Sequence, residues 1–187
     1  MSKTLILLFH PDPSRSKTNV AFAEAALALP GAEVVDMQAL YPTGVIDTDV
    51  EVERLLAADR IVLQFPVQWY STPPLLKAWQ DAVLTRMYYI RPTEGAQLEG
   101  TPILVAASAG NTPSAYTATG ANLFPLADLL RPLEATANRC GLPWSPPLLT
   151  YEADRLDEDG RRAACARYLQ TLRNWRADTS VPLLLTA

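Results

Sequence analysis

Histidine is nearly absent from this chain: His10 is the only one among 187 residues. That excludes chemistries built on two histidines, from zincin sites to most histidine metal clusters. A Ser-His-Asp triad could recruit His10, but the G-x-S-x-G elbow is missing. Cysteine is scarce as well. Cys140 and Cys165 stand apart, with no CxxC or Cys/His spacing, which removes structural zinc and leaves no metal site expected. Two isolated cysteines also suit a reducing, cytoplasmic setting. Long basic runs are missing, the longest being pairs such as Arg161-Arg162. With 16 Lys+Arg against 20 Asp+Glu and a net charge of −4, nucleic acid is not expected as a partner. No apolar run reaches the roughly 18 residues of a membrane span. The opening MSKTLILLFHP has too short an apolar run for a secretory signal and no small-residue cleavage site, so it reads as a first strand.

What is present is apolar and evenly spread. The chain is 49% apolar and 19% charged, and its length suits one domain on a prior of about 150 residues each. Such a chain buries roughly 70% of its unfolded surface and needs no staples. Thr4–Phe9, Ile61–Leu63 and Ile103–Ala107 are continuously apolar, which implies strands covered on both faces, as in a parallel sheet. Ala32–Asp36 and Leu148–Tyr151 are weaker strands. Helical patterns fill the gaps. Asn19–Leu29 is rich in Ala and Leu, and Val52–Ala58 is shorter. A third opens at Pro73-Pro74 and aligns Leu75, Leu76, Trp79 and Val83. Leu123–Asn138 carries Leu126, Leu129, Leu130 and Leu133 and can be closed by Gly141. The last runs from about Asp157 to Asp178. The tail SVPLLLTA (180–187) reads either as a docked extension or as a frayed end. Five alternations of strand and helix predict a doubly wound α/β fold with a flavodoxin-like five-stranded parallel sheet in the order 2-1-3-4-5. Its ligand site is expected beyond the carboxyl ends of the strands.

Three loops follow strands that end side by side in this order. The first, His10 to Asn19, carries Ser16, Lys17, Thr18 and Asn19 into a helix N-terminus, a ready anion site to which His10 and Lys17 add charge. Its bland alternative is an ordinary N-cap. The second is Pro66-Val67-Gln68-Trp69-Tyr70, where two large aromatics suit the wall of a flat cofactor. The alternative packs both aromatics down on the helix carrying Trp79. The third, Ser108-Ala109-Gly110-Asn111, lets backbone amides approach a ligand edge, with Tyr116 six residues past the glycine. Its alternative is a mobile surface loop. All three together favour a ligand with a phosphate and a flat ring system.

The segment Phe65-Pro66-Val67-Gln68-Trp69-Tyr70-Ser71-Thr72-Pro73-Pro74-Leu75-Leu76-Lys77-Ala78-Trp79 resembles the signature of the flavodoxin-like NAD(P)H:quinone oxidoreductases. It is most similar to the bacterial branch that includes the ancillary flavoproteins of glutathione-gated potassium efflux. The resemblance extends to His10-Pro11 with Ser16–Asn19, to Leu40-Tyr41-Pro42, to Leu133–Ala137 and to Cys140–Trp144, and covers residues 3–175. It implies non-covalent FMN, with FAD as the alternative, and a homodimer whose sites are completed by the partner. By this resemblance His10, Ser16, Lys17, Thr18 and Asn19 match the phosphate and ribityl loop. Val67, Gln68, Trp69 and Tyr70 match the segment along the isoalloxazine edge. Ser108, Ala109, Gly110 and Asn111 match a loop that usually reads Thr-Thr-Gly-Gly. Ala109 and Asn111 depart from it, removing a hydroxyl and adding a side chain, while the loop's backbone N–H contacts are expected to survive. Tyr116 matches a tyrosine beside the nicotinamide and quinone site. The histidine that animal quinone reductases carry six residues further on is Asn122 here, so a Tyr–His relay is not available.

Three functions are then in competition. The first is an FMN enzyme passing hydride from NAD(P)H to a quinone or similar acceptor, in which the cofactor carries the chemistry. The second is a regulatory subunit in peripheral contact with a membrane potassium antiporter. The third, a one-electron carrier, fits poorly with a charge of only −4. Exposed aromatic area at Trp69, Tyr70 and Met87-Tyr88-Tyr89-Ile90 points to a homodimer. Arg86, Arg91 and Arg155 are expected in loops, and no basic pocket for a 2′-phosphate is legible among them.

Overall fold

The computed structural model describes residues 2–179, so the tail at 180–187 lies outside the described residues. Five strands, β1 (Thr4–Leu8), β2 (Ala32–Asp36), β3 (Arg60–Pro66), β4 (Ile103–Ser108) and β5 (Leu148–Thr150), form one sheet. Every pairing is parallel and the order is β2-β1-β3-β4-β5, the expected flavodoxin-like arrangement. Leu8 stands level with Gln64 and Gln64 with Ala106, so β3 and β4 run on past β1 to Pro66 and Ser108.

Helices cover both faces, which is why the three central strands are mostly apolar and buried. On one face α1 (Lys17–Ala26) and α7 (Glu158–Asp178) bury Phe22, Ala26, Tyr168, Leu172 and Trp175 against Ile6, Val62 and Leu104. On the other lie α2 (Met37–Leu40), α3 (Thr48–Leu56), α4 (Pro74–Thr85), α5 (Pro92–Leu98) and α6 (Arg131–Arg139). Their Val52, Leu55, Leu76, Trp79, Val83 and Leu133 pack on Leu5, Leu7, Leu63 and Val105. The chain leaves β1 toward β2, then returns past β1 to β3, and the crevice of such a sheet opens where the order reverses. No helix among the described residues is long and apolar enough to cross a membrane.

Five expectations need correction. The helix expected over Val52–Ala58 runs from Thr48 to Leu56, because Asp47 caps it earlier. The first helix begins at Lys17 and ends at Ala26 rather than spanning Asn19–Leu29, because Ser16 caps it earlier. The helix expected over Leu123–Asn138 starts only at Arg131. Pro125 disfavours helical backbone at Phe124, and Leu123 sits in the left-handed region at φ 63°. Gly141 does close α6, at φ 66°. The short α2 and α5 were not legible. Arg86 is not in a loop but opens a π-helical turn, Arg86–Ile90, and holds the Glu94 carboxylate with two bonds of 3.0 Å. In the same turn Met87 is fully buried and Tyr88 donates to the Cys140 carbonyl at 2.9 Å, so only Tyr89 and Ile90 face outward.

Candidate functional site

The loop after β1 builds an anion cradle. Ser16 caps α1, its Oγ accepting from the Asn19 amide at 3.2 Å. Thr18, buried, donates its hydroxyl to the Ala153 carbonyl. Asn19 is 3% exposed; its Nδ2 donates to Ser108 Oγ at 2.9 Å, while its Oδ1 is buried with no partner. A cavity of about 260 Å³ opens here, bounded by His10, Ser16, Lys17, Thr18 and Asn19. Pro66 and Val67 close one side, and Ser108, Ala109 and Gly110 another. Arg15, Lys17 and Arg161 supply three positive charges to its wall against the single carboxylate of Asp154. With the positive end of α1 added, the cavity is set for a dianion. His10 contributes less charge than expected. Burial pushes its imidazole below the ordinary histidine value, and its Nδ1 accepts the Asp12 amide at 3.1 Å. Neutral His10 therefore carries its proton on Nε2 and offers a donor.

The loop after β3 is held in an unusual shape. Val67 donates to the Ser108 carbonyl at 2.7 Å, tying the loop to β4. Gln68 and Ser71 exchange both backbone bonds, at 2.9 and 3.0 Å, which makes Trp69 and Tyr70 the two residues of a tight hairpin turn. Their φ values are 45° and 65°, as in a type I′ turn, a place where Asn-Gly is normal. Two large aromatics there cost about 1–3 kcal/mol each. The turn holds Trp69 away from the body of the protein, 93% exposed, which overturns the alternative of packing on the Trp79 helix. Trp79 is occupied elsewhere: it donates to buried Glu51 at 2.9 Å and meets Phe9 edge-on at 5.8 Å. Tyr70 reaches back, its hydroxyl 3.4 Å from Asn122 Oδ1.

The loop after β4 is less open than expected. The Ala109 amide is spent on the Thr150 carbonyl at 2.8 Å, so it is not available to a ligand. Asn111 folds back, its Oδ1 accepting the Thr112 amide at 2.9 Å and its carbonyl accepting from Glu152 at 3.2 Å. Gly110 faces Asp154, whose carboxylate would stand 3.3 Å from any Cβ there. Tyr116 ends a short 3-10 turn, Pro113–Ala115, and is half-buried with its ring 5.7 Å from that of Tyr151. Burial first, then the neighbouring Tyr70 and Tyr151, raise its hydroxyl pKa, so it stays a neutral donor. Gly120 fixes this loop: a Cβ there would lie 2.4 Å from the Ser114 carbonyl.

The expected residues thus fall into two adjoining groups. One surrounds the cationic cavity. The other, Gln68, Trp69, Tyr70, Asn111 and Tyr116, lies in the loops around it. Sequence reading missed the fourth loop, after β5. It brings Tyr151 to Tyr116, sends Ala153 to Thr18, and lines the cavity with Asp154. The signal was available, since the rule that singles out the ends of β1, β3 and β4 applies to β5 as well. Arg161 belongs to α7 and carried no local signal at all.

A mononucleotide with a sugar-alcohol chain suits this donor set. Its phosphate would lie at the start of α1 among Arg15, Lys17 and Arg161. The anion cradle thus lies at the switch point of a doubly wound parallel sheet, bordered by an aromatic turn. The chain belongs to the flavodoxin-like fold family, whose profile matches residues 2–173. It is 36% identical over 181 residues to the uncharacterized NAD(P)H oxidoreductase YdeQ of Bacillus subtilis, covering 97% of this chain and 91% of that one. It is also 36% identical over 172 residues to the glutathione-regulated potassium-efflux system ancillary protein KefF of Klebsiella pneumoniae, covering 92% and 96%. Among solved structures it is similar to general stress protein 14 of Treponema denticola in complex with FMN. That similarity has TM-score 0.82 and 33% identity and covers 95% of this chain and 99% of that one.

Proposed function

We propose that this protein is an FMN-dependent oxidoreductase that passes hydride from NAD(P)H to a quinone or similar flat acceptor in ping-pong fashion. The observation that carries the reading is the cationic cavity at the start of α1, bounded by Asn19 with its buried, unmet Oδ1, and the strained Trp69-Tyr70 turn beside it. A relative named as an NAD(P)H oxidoreductase and an FMN-bound neighbour support it. The flavin, when bound, supplies the hydride chemistry; the protein binds, orients and shields. Arg15, Lys17, Arg161 and the α1 amides hold the phosphate, and the turn after β3 flanks the ring. Tyr116 steers a nicotinamide carboxamide or a quinone carbonyl with a neutral O–H. His10 is the single group in these loops that ordinarily titrates near neutral pH, and it sits at the phosphate end, so protons for the reduced acceptor come from solvent. Anaerobic NADPH should bleach the yellow protein directly, and double-reciprocal plots with a quinone should be parallel. Failure to bleach, or intersecting lines, overturns the enzyme or its ordered exchange respectively. Mass analysis of the released flavin separates FMN from FAD.

A second copy of the chain fits the outer face. Tyr89 and Ile90 are 68% and 69% exposed, beside a groove of about 440 Å³ between α4 and α6. Paired apolar residues beside a groove favour a homodimer. Light scattering should report twice the 20.5 kDa of one chain, and a monomer at micromolar concentration overturns this. The likeness to KefF favours a second reading, a regulatory subunit of a potassium antiporter. Co-purification with such a transporter decides between a free enzyme and a bound one.

A further inference from the structure

We propose that Tyr168 and Gln64 form a buried positioning relay that locks the first turn of α1 to the sheet and so presets the phosphate-binding backbone. The proposal rests on the FMN reading above and adds to it a pair of residues that lie outside the cavity wall. Tyr168, on α7, is fully buried and stacks on Phe22 of α1 at 4.7 Å with an angle of 5° between the rings. Its hydroxyl donates to Gln64 Oε1 at 2.8 Å. Gln64, also fully buried in β3, donates through Nε2 to the Asn19 backbone carbonyl at 2.8 Å. Asn19 in turn reaches β4 through Ser108. The first turn of α1 is therefore bolted to β3 and to β4, and Thr18 adds a third bolt, to the loop after β5.

The direction of these bonds is what makes the pair a relay. A glutamine amide can turn over so that oxygen and nitrogen exchange places. Turned over, Gln64 would set its oxygen against the Asn19 carbonyl oxygen, and two acceptors repel. The Asn19 carbonyl can only accept, so it draws Nε2 toward α1; the Tyr168 hydroxyl then satisfies Oε1 as donor and holds the amide in that orientation. The stack on Phe22 fixes the ring that carries the hydroxyl. The immediate surroundings, Ile6, Val62, Leu104 and Ala106, are apolar, so an amide and a phenol here cost desolvation that an apolar pair would avoid. A satisfied polar chain in such a place specifies one arrangement of its neighbours. Here the neighbour is the helix start whose amides face the cavity. Small displacements of a preorganised binding group have large effects on what it holds.

The test uses Tyr168→Phe, which keeps the ring and the stack, Gln64→Met, which keeps the length and removes the amide, and the double variant. FMN and riboflavin are titrated against each apoprotein by flavin fluorescence, since they differ only by the phosphate. Each single variant should narrow the preference for FMN over riboflavin about tenfold, the equivalent of one lost hydrogen bond at the phosphate end. The double variant should lose no more than either single one, because both break the same chain. Equal weakening of the two flavins, additive losses, an unchanged preference, or failure of both single variants to fold each overturns the relay. If one variant fails to fold, the ratio measured on the other decides. A wild-type protein that binds neither flavin overturns the FMN reading itself, an outcome distinct from all of these.

Discussion

Asn19 is a buried residue at the cavity whose side chain contributes little to the fold. Its Nδ2 makes one bond, to Ser108, and its Oδ1 makes none. Replacing Asn19 by Leu keeps the number and branching of the side-chain atoms, and pairing it with Ser108→Ala removes the hydroxyl that would otherwise be stranded. The apoprotein then loses one neutral hydrogen bond, about 1 kcal/mol net. It gains relief of an unsatisfied buried acceptor, about 1–3 kcal/mol. Leu also exceeds Asn in helix propensity by a few tenths of a kcal/mol, on the order of 0.4. The Gln64 bond to the Asn19 backbone is untouched. The double variant should therefore be more stable than wild type by roughly 0.5–2 kcal/mol, or about 2–4 °C in Tm per kcal/mol for a chain of this size. Flavin binding should move the opposite way, weakening about tenfold or more for FMN and riboflavin alike, since both carry the ribityl chain. Chemical denaturation of the apoprotein and flavin fluorescence titration measure the two sides. An apoprotein destabilised by more than about 1 kcal/mol would make Asn19 a structural residue, and unchanged flavin affinity would remove it from the site.

Three further outcomes follow from the same geometry. Glu51, fully buried, accepts from Tyr41 O–H at 2.9 Å, Arg54 Nε at 3.1 Å and Trp79 Nε1 at 2.9 Å. In Glu51→Gln the new NH2 faces a donor whichever way it turns, so urea denaturation should report a loss of about 2–3 kcal/mol, and a loss below about 1 contradicts the account. Burial lowers the pKa of His10 from its ordinary value of 6.5, so the folded apoprotein binds this proton less readily than the unfolded chain. The stability that neutral His10 contributes is complete above pH 6.5 and is lost as pH falls through the lower folded value. His10→Gln should flatten the acid side of the stability profile, and an unchanged slope assigns the titration elsewhere. Tyr116→Phe deletes one neutral donor and should lower quinone turnover about tenfold; full activity would exclude Tyr116 from the reaction.

The sheet was legible because its two covered faces force continuous apolar strands, and the order then follows from strand–helix alternation. The end of β3 was not. Leu63 is followed by Gln64, a polar residue that ordinarily closes a buried strand, and its partner Tyr168 lies 104 positions further on. The loop before α6 failed for the opposite reason. Leu126, Leu129, Leu130 and Leu133 give good helical spacing, but Pro125 and the left-handed Leu123 override its first part. Within the site, residues next to one another in sequence were found together, as in Ser16–Asn19 and Pro66–Tyr70. Arg161, Asp154 and Tyr151 were missed because only tertiary packing brings them in. The spent amide of Ala109 and the unmet oxygen of Asn19 are facts of register, and composition carries no trace of either.

Departures from local preference are not scattered through this molecule. The described non-glycine residues with positive φ are Trp69, Tyr70, Leu123 and Glu152. One pair follows β3, one residue follows β4 and one follows β5, so all four lie in loops at the carboxyl edge of the sheet. Of the two unpartnered buried side-chain atoms among the described residues, Asn19 Oδ1 lies at the same edge and Thr4 Oγ1 at the amino end of β1. A sequence selected for stability alone would place Asn-Gly in the turn now held by Trp69-Tyr70 and an aliphatic residue at position 19. Bonds elsewhere offset these costs: Glu51 is satisfied by three donors, and Arg60 donates to the Thr179 carbonyl at 2.8 Å at the end of α7. Strain and unmet polarity persist where the surrounding fold over-determines them and where something outside the chain repays them. Asn122 fits this account. Its amide cannot titrate, yet it accepts from Tyr70 and so ties the strained turn to the loop that carries Tyr116. That contact fixes the spacing of two aromatic loops.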